Sequence, residues 1–357
     1  MNVHISRRRD VLAGGSRNLT APKPAAAASA KNALAVSLLI PTKDRADELV
    51  HAVRSVLRQT LLPMEMLILD QSAANRGQEC VKEEFSRADR KATKRIELRY
   101  ISDTSVPGTA AARNRLLDMA QGDIALFIDD DSILEPDFIE QMTGCYADNP
   151  RIAGVSGLIT NYSKPAWNAL VWSSIFARGP FHDERQPLYW NAERLRGSDP
   201  IRVHKFTGAS MSFRSSLIRN IRFDANLTGA SREEDVDFCA MLEPQVMVIA
   251  PRARLVHNKS PVNRSRDHWL KEHVQSAHYL YRRHWKRGLR NRLCFLWLHV
   301  GYLLIIPSAC LRRMSSEPWH AFRAGARRAA TLTSGFDGIT SRFAASTMRT
   351  ANRPPGR

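Results

Sequence analysis

The chain has few cysteines and no pairing pattern among them. Its five (Cys80, Cys145, Cys239, Cys294, Cys310) are odd in number, scattered and never spaced C-x-x-C. That excludes a disulfide framework and a thiolate zinc site, and it fits a reducing compartment. An apolar signal core is also missing. Arg7-Arg8-Arg9 is followed by Arg17, Asn18, Pro22, Lys23 and Pro24 and not by a hydrophobic run. Residues 1–33, rich in Ala, Pro, Ser and basic side chains, therefore read as a disordered leader.

Acid is scarce in the last third. Residues 251–357 hold 21 Lys/Arg against 4 Asp/Glu, a net of +17, whereas the first 250 hold 32 against 31, a net of +1. A nearly neutral globular part is followed by a strongly basic region that calls for an anionic partner, lipid head groups or nucleic acid. Within that region, residues 293–311 carry no charged side chain, with Arg290 and Arg292 before them and Arg312 and Arg313 after. A span of the bilayer needs about 20 apolar residues. It would also carry the nine Lys/Arg that follow to the side opposite the globular part, against the positive-inside tendency. The pattern favours attachment to an anionic membrane surface over a true span, with a buried core helix as the alternative. An uncharged run of this length fits a bilayer better than nucleic acid, and no nucleic acid is expected as a partner.

What is present from residue 35 onward is an α/β pattern. Short apolar runs at 35–40, 64–70, 96–102 and 125–128 alternate with amphipathic stretches at 46–59, 78–88 and 109–120. The alternation predicts a mostly parallel central sheet with helices on both faces, and ligands in such sheets bind at the carboxyl ends of the strands. Pro41-Thr42, Asp70, Pro107-Gly108 and Asp129-Asp130-Asp131 all fall at those ends. Beyond Asn149 the reading is strands at 154–159, 209–214, 246–251 and 253–257, an insertion at 162–205 long enough to act as a lid, and a helix at 231–242 opened by a Ser231/Glu234 capping box.

Two of these segments carry chemistry. Asp129, Asp130 and Asp131 crowd the end of the apolar run 125–128. Two carboxylates about 4 Å apart repel by roughly 4 kcal/mol at an effective dielectric near 20, so such a cluster wants a cation. Hard oxygen ligands suit Mg²⁺ or Mn²⁺, which often share their coordination sphere with substrate phosphates. A solvated turn is the plainer account of the triplet. Glu233, Glu234, Asp235 and Asp237 form the second acidic group, at a helix start where negative charge is favoured in any case.

Read together and in order, the segments resemble the family-2 inverting glycosyltransferases with a GT-A nucleotide-sugar fold. The likeness runs from about Ala35 to Arg264. It rests on SLLIPTKDRADELVHAVRSVLRQTLLPMEMLILDQSA, GTAAARNRLLDMAQGDIALFIDDD, FTGASMSFR, REEDVDF and LVH with Arg264 after it. The resemblance implies a GT-A domain at 34–264 followed by a basic, membrane-associating helical region at 265–357. It implies a nucleotide-diphosphate sugar donor, UDP in the first place, and a glycan or lipid-linked acceptor. Pro41, Thr42, Arg45, Asp70, Arg113, Asp129 and Asp130 would form the nucleotide-sugar site, with Asp70 accepting from the base and Asp129 facing the ribose. Asp131 would ligate the metal together with His257, which falls 22 residues after Asp235. Asp235 would be the catalytic base, taking the acceptor hydroxyl proton as that oxygen attacks the anomeric carbon. The setting implied is the cytoplasmic face of the cell membrane, in polysaccharide or glycoconjugate synthesis.

The pattern departs from the family at Lys43-Asp44, where Tyr-Asn is common, and at Ile221-Arg222-Phe223-Asp224, where Gly-Gly-Phe-Asp is usual. An Arg that often follows the E-D-x-D segment is replaced by Ala240-Met241-Leu242. Two other readings remain open from the residues. A nucleotidyltransferase should carry a glycine-rich phosphate loop after the first strand, yet residues 41–45 contain no glycine. A nucleic-acid-binding protein working through the basic region should bind with steep salt dependence. His268, His273, His278 and His284, spaced five, five and six apart, scatter round a helix and read as interfacial groups, not as a metal site.

Overall fold

The computed structural model describes residues 34–89, 93–227, 233–259, 269–313 and 316–333. The expected leader at 1–33, together with Ser231, Arg264 and His268, lies outside these residues. Among the described residues there are nine strands: β1 (Val36–Thr42), β2 (Glu65–Asp70), β3 (Glu97–Ser102), β4 (Ile124–Ile128), β5 (Ser132–Leu134), β6 (Ile152–Ile159), β7 (Ile201–Val203), β8 (Ser210–Arg214) and β9 (Val246–His257). They form one sheet in the order β3-β2-β1-β4-β8-β6-β9-β5, with β7 also paired to β9. The neighbours β1/β2, β1/β4, β2/β3 and β6/β9 are parallel, while β5, β7 and β8 run against the rest. This is the mostly parallel α/β sheet expected.

The strands read as continuous apolar runs because helices cover both faces. Every residue of β1, β2, β4 and β6 is buried. The helix Ala46–Leu57 turns Leu49, Val53, Val56 and Leu57 into that core and keeps Asp47 and Glu48 in its first turn, at the positive end of its dipole. The helix Phe138–Asp148 follows Asp137 and buries Phe138, Ile139 and Met142. Each such fully buried aliphatic or aromatic side chain contributes roughly 1.5–3 kcal/mol.

Three segments differ from the expectation. Residues 246–257 form one strand, not two. Its pairing with β6 slips between Ala250 and Arg254, so Pro251-Arg252-Ala253 bulge out of the ladder. Proline has no N–H to give a ladder, which places it naturally in a bulge. The acidic helix spans Glu234–Met241 and starts later than a Ser231 cap requires, with Glu233 before it in the left-handed region at φ 73°. The insertion is ordered: it holds the helix Trp167–Phe176, a 3₁₀ turn Gly179–Phe181 and a short helix Gln186–Trp190.

The basic region folds back onto the sheet domain. The helix Trp269–Leu280 continues as a π turn, Tyr281–Trp285, and is followed by the helices Leu289–Arg313 and Glu317–Thr333. Tyr279, Leu280 and Trp285 share a cluster with Leu227 and Val236, so the acidic helix is packed partly by this region.

Candidate active site

The carboxyl ends of β1 and β4 are adjacent because those strands pair in parallel, which brings Thr42 beside the aspartate triplet. Thr42 Oγ1 donates to Asp130 Oδ2 at 2.7 Å, and Arg45 Nη1 donates to Asp130 Oδ1 at 3.0 Å while lying 3.8 Å from Asp131. Asp130 is thus turned inward, pinned to the β1 end. Burial pushes its carboxyl up to about 6, opposed by Arg45 and Thr42. Asp70 ends β2 directly opposite Thr42. Its Oδ2 accepts from the Tyr100 hydroxyl at 2.5 Å and its Oδ1 from the Ser72 backbone N–H at 2.8 Å. Pro41 is a buried residue of β1, paired with Leu69.

Asp129 and Asp131 point the other way. β5, a three-residue strand that the sequence reading missed, pairs antiparallel with β9 so that Ser132 opposes His257. The register delivers the histidine to the triplet: Nε2 lies 3.1 Å from Asp131 Oδ1 and 3.9 Å from Asp129 Oδ2. One ligand atom from each of Asp129, Asp131 and His257 falls within 4.8 Å of the others. His257 Nε2 is buried and makes no well-directed hydrogen bond among the described residues. Asn161 holds the His257 backbone on both sides, accepting its N–H at 3.0 Å and donating to its C=O at 3.1 Å. Two carboxylates and an imidazole converging on one point fit a divalent cation of the Mg²⁺ or Mn²⁺ kind.

Arg113, from the helix Gly108–Met119, is 1% exposed and joins the two acidic groups. Its Nη2 donates to Asp129 at 2.8 Å and its Nη1 to Glu234 at 2.7 Å. Burial alone would lower the guanidinium pKa, but Asp129, Glu234 and Asp235 outweigh it and raise it. Burial pushes the Glu234 carboxyl up against the pull of Arg113. The guanidinium passes so close to the backbone that a Cβ on Gly208 would meet Arg113 Nη2 at 2.6 Å. That same Gly208 donates its N–H to Asp235 Oδ2 at 2.9 Å, and the Val236 N–H reaches Asp235 Oδ1 at 2.8 Å. One backbone donor on each oxygen fixes the orientation of the Asp235 carboxylate, and its side chain keeps 15% exposure toward solvent.

The sequence therefore named as site residues the carboxylates that converge here except Glu234, which it read as a helix-capping residue beside Asp235. It missed more in the insertion and the basic region. Arg185 is bound by Asp183 at 2.8 Å and lies 3.9 Å from Asp235 Oδ2. The run His182-Asp183-Glu184-Arg185 is only one of several charged stretches in the insertion, so the sequence held no distinct signal for Arg185. Asp237, fully buried, is met by His284 Nε2 at 2.7 Å and Arg283 Nε at 3.2 Å. Arg283 also reaches Asp224 at 2.6 Å, which in turn accepts from the Tyr279 hydroxyl at 2.6 Å. His284 is not the interfacial group expected, since a buried carboxylate claims it. His278 is likewise turned inward, 2.8 Å from His299.

Comparison with known proteins meets this geometry. A model of glycosyl transferase family 2 matches residues 37–220, which contain the β1 end, Arg113 and the aspartate triplet. The chain belongs to glycosyl transferase family 2. This glycosyltransferase is 28% identical over 206 residues to a glucosyl-dolichyl phosphate glucuronosyltransferase of Haloferax volcanii, covering 56% of this chain and 59% of that one. It is 31% identical over 106 residues to TuaG of Bacillus subtilis, a protein named for teichuronic acid biosynthesis, covering 30% of this chain and 39% of that one. The match thus spans less than two thirds of the length of these curated relatives. Among solved structures, the mannosyltransferase PcManGT of Pyrobaculum calidifontis, in complex with GDP-Man and Mn²⁺, superposes with a TM-score of 0.52 at 16% identity, over 85% of this chain and 88% of that one. The fold is GT-A, a nucleotide-sugar transferase architecture. Among the described residues one helix, at Leu289–Pro307, is long and apolar enough to cross a membrane.

Proposed function

We propose that the protein transfers a sugar with inversion, from a nucleoside diphosphate-sugar to a hydroxyl of a glycan or lipid-linked acceptor. The donor favoured is a UDP-sugar, and the setting is the anionic cytoplasmic face of a membrane where surface polysaccharide or glycoconjugate is built. The observation that carries the reading is Arg113, which binds Asp129 of the triplet and Glu234 beside Asp235 in one buried fork. Donor site and base are thereby fixed relative to each other.

In this reading Asp70, Thr42 and Arg45 line the nucleotide end, and Asp129, Asp131 and His257 hold Mg²⁺ or Mn²⁺. The ion, when bound, supplies charge neutralisation for the diphosphate that departs. Asp235 takes the proton from the acceptor hydroxyl as its oxygen forms the new bond to the anomeric carbon. The bond from that carbon to the phosphate oxygen breaks and its electron pair leaves with the nucleoside diphosphate. A single displacement needs one base and no second carboxylate. The backbone N–H groups of Gly208 and Val236 hold that base in place, so little reorganisation is needed when the proton moves.

The test is thermal-shift binding of UDP, GDP, dTDP and ADP, each with and without Mn²⁺, on wild type and Asp131→Asn. A metal-dependent shift for one nucleoside diphosphate, lost in the variant, supports the donor site and identifies the nucleotide. No shift with any of them sinks the reading.

A further inference from the structure

The helix Leu289–Arg313 has two apolar faces with different fates. Leu298, Tyr302 and Ile306 are each 4% exposed, and the first two pack with Val274 and Ala277. The other face shows Leu293, Leu296, Trp297, Val300, Leu303 and Leu304, all between 40% and 63% exposed. Their spacing of three and four residues places them on a single stripe along the helix. An isolated exposed leucine needs no explanation, but a contiguous stripe marks an interaction surface.

A second element widens the stripe. The helix Trp167–Phe176, part of the insertion, lies antiparallel beside it. The Phe176 ring packs on Trp297 at 5.3 Å and the Trp172 ring on Tyr302 at 5.4 Å. Each side chain also reaches the other helix's backbone: Trp172 Nε1 donates to the Gly301 C=O at 3.0 Å and Trp297 Nε1 to the Ile175 C=O at 2.9 Å. A Cβ on Gly301 would collide with Phe176 at 2.5 Å, so glycine is what permits the approach. Ile175 and Trp167, exposed to 41% and 79%, extend the apolar surface onto the insertion helix. Arg178, Lys286, Arg287, Arg290 and Arg292 are exposed at the end where the two helices meet.

We infer that these two helices, about 120 residues apart in sequence, form one monotopic docking face that lies in the plane of an anionic bilayer. This deepens the membrane attachment proposed above and rests on it. An in-plane pose uses both faces of the long helix as they stand: the inner one stays on the protein, where His299 meets His278, and the outer one enters the lipid. A transmembrane pose would strip the inner face from Val274 and Ala277. Cationic side chains at the rim of an apolar stripe match anionic head groups at the level where such helices settle. The insertion that carries the face also carries Arg185, 3.9 Å from Asp235, so docking would set the candidate base close to the surface from which a lipid-linked acceptor is drawn.

The experiment is vesicle flotation of the full chain, with phosphatidylcholine alone and with an equimolar mixture of phosphatidylcholine and phosphatidylglycerol. The variants are Leu296→Gln/Leu304→Gln and Trp167→Gln, exposed positions whose replacement leaves the core intact; circular dichroism checks their folding. Wild type is expected to float with the anionic vesicles, and brominated lipid should quench its tryptophan fluorescence. The double variant should lower the partition coefficient on the order of tenfold or more, and Trp167→Gln should weaken both binding and quenching. Wild type and variants floating equally would overturn this face while leaving membrane attachment standing. Failure of wild type to float would remove the attachment itself. A change from dimer to monomer in the variants by light scattering, with flotation unchanged, would assign the stripe to a second copy of the chain.

Discussion

Arg113 and Glu234 are 121 positions apart in sequence and 2.7 Å apart in space. The pair is buried, and Asp129 is bound to the guanidinium's other terminal nitrogen. Removing one partner of a buried pair leaves an uncompensated charge, at a cost of about 3–5 kcal/mol. Arg113→Ala is therefore expected to lose stability on that scale in urea denaturation and to lose transfer activity. Arg113→Lys keeps the charge but not the two-pronged geometry, and it should keep more of the stability than of the activity. Equal activity in Arg113→Lys and wild type would show that the fork does not position the site.

Asp235→Asn keeps the side chain's shape and, with its single acceptor oxygen, one of the two backbone contacts, but it cannot take a proton. Turnover should fall by about 10²–10⁴-fold while nucleoside diphosphate binding, read by thermal shift, stays as in wild type. Retained turnover would move the base elsewhere.

Asp237 lies on the buried side of the acidic helix, and its partners Arg283 and His284 come from the basic region. Ending the chain before Trp269 would leave that carboxylate buried without them and uncover Leu227 and Val236. A chain truncated there is expected to be insoluble or to unfold well below wild type by calorimetry. A stable, nucleotide-binding fragment would show that the clamp is dispensable.

His278 and His299 face each other through their Nε2 atoms at 2.8 Å, so one Nε2 accepts and its ring must be neutral. Burial, followed by His299 and Arg282, lowers His278 from 6.5 to about 4, and burial lowers His299 as well. Between those two pH values the unfolded chain binds protons that the folded chain refuses. This contribution to stability is complete above pH 6.5 and is lost as pH falls toward about 4. The melting temperature should drop across that window, and His278→Gln, which keeps a hydrogen-bonding group but does not titrate there, should flatten the drop. An unchanged profile would exclude the pair as its source.

The strand ends were legible in the sequence because an apolar run stopped by an acid leaves few alternatives. Asp70 and the aspartate triplet were found in this way. His257 and Asp235 were named through resemblance, since a lone histidine after a strand carries no signal of its own. β5 was not legible: three residues hold no periodicity, and Ser132–Leu134 is a strand only because β9 lies beside it. The clamp on Asp237 was hidden for a related reason. Arg283 and His284 sit in a run of basic residues that looks like a solvated face until the helix folds back. Arg185 lies in an insertion without regular pattern, where only tertiary packing decides which polar side chain turns inward.

The bulge at Pro251-Arg252-Ala253 divides β9 into a part that only supports the sheet and a short end, Arg254–His257, that delivers the histidine. Side chains along a strand alternate sides, so a residue lost or gained within that end would turn His257 away from Asp131. The same change at the bulge would be taken up by backbone already outside the ladder. Length variation in this strand is therefore expected to be tolerated at the bulge and, beyond Arg254, to cost His257 its place beside Asp131.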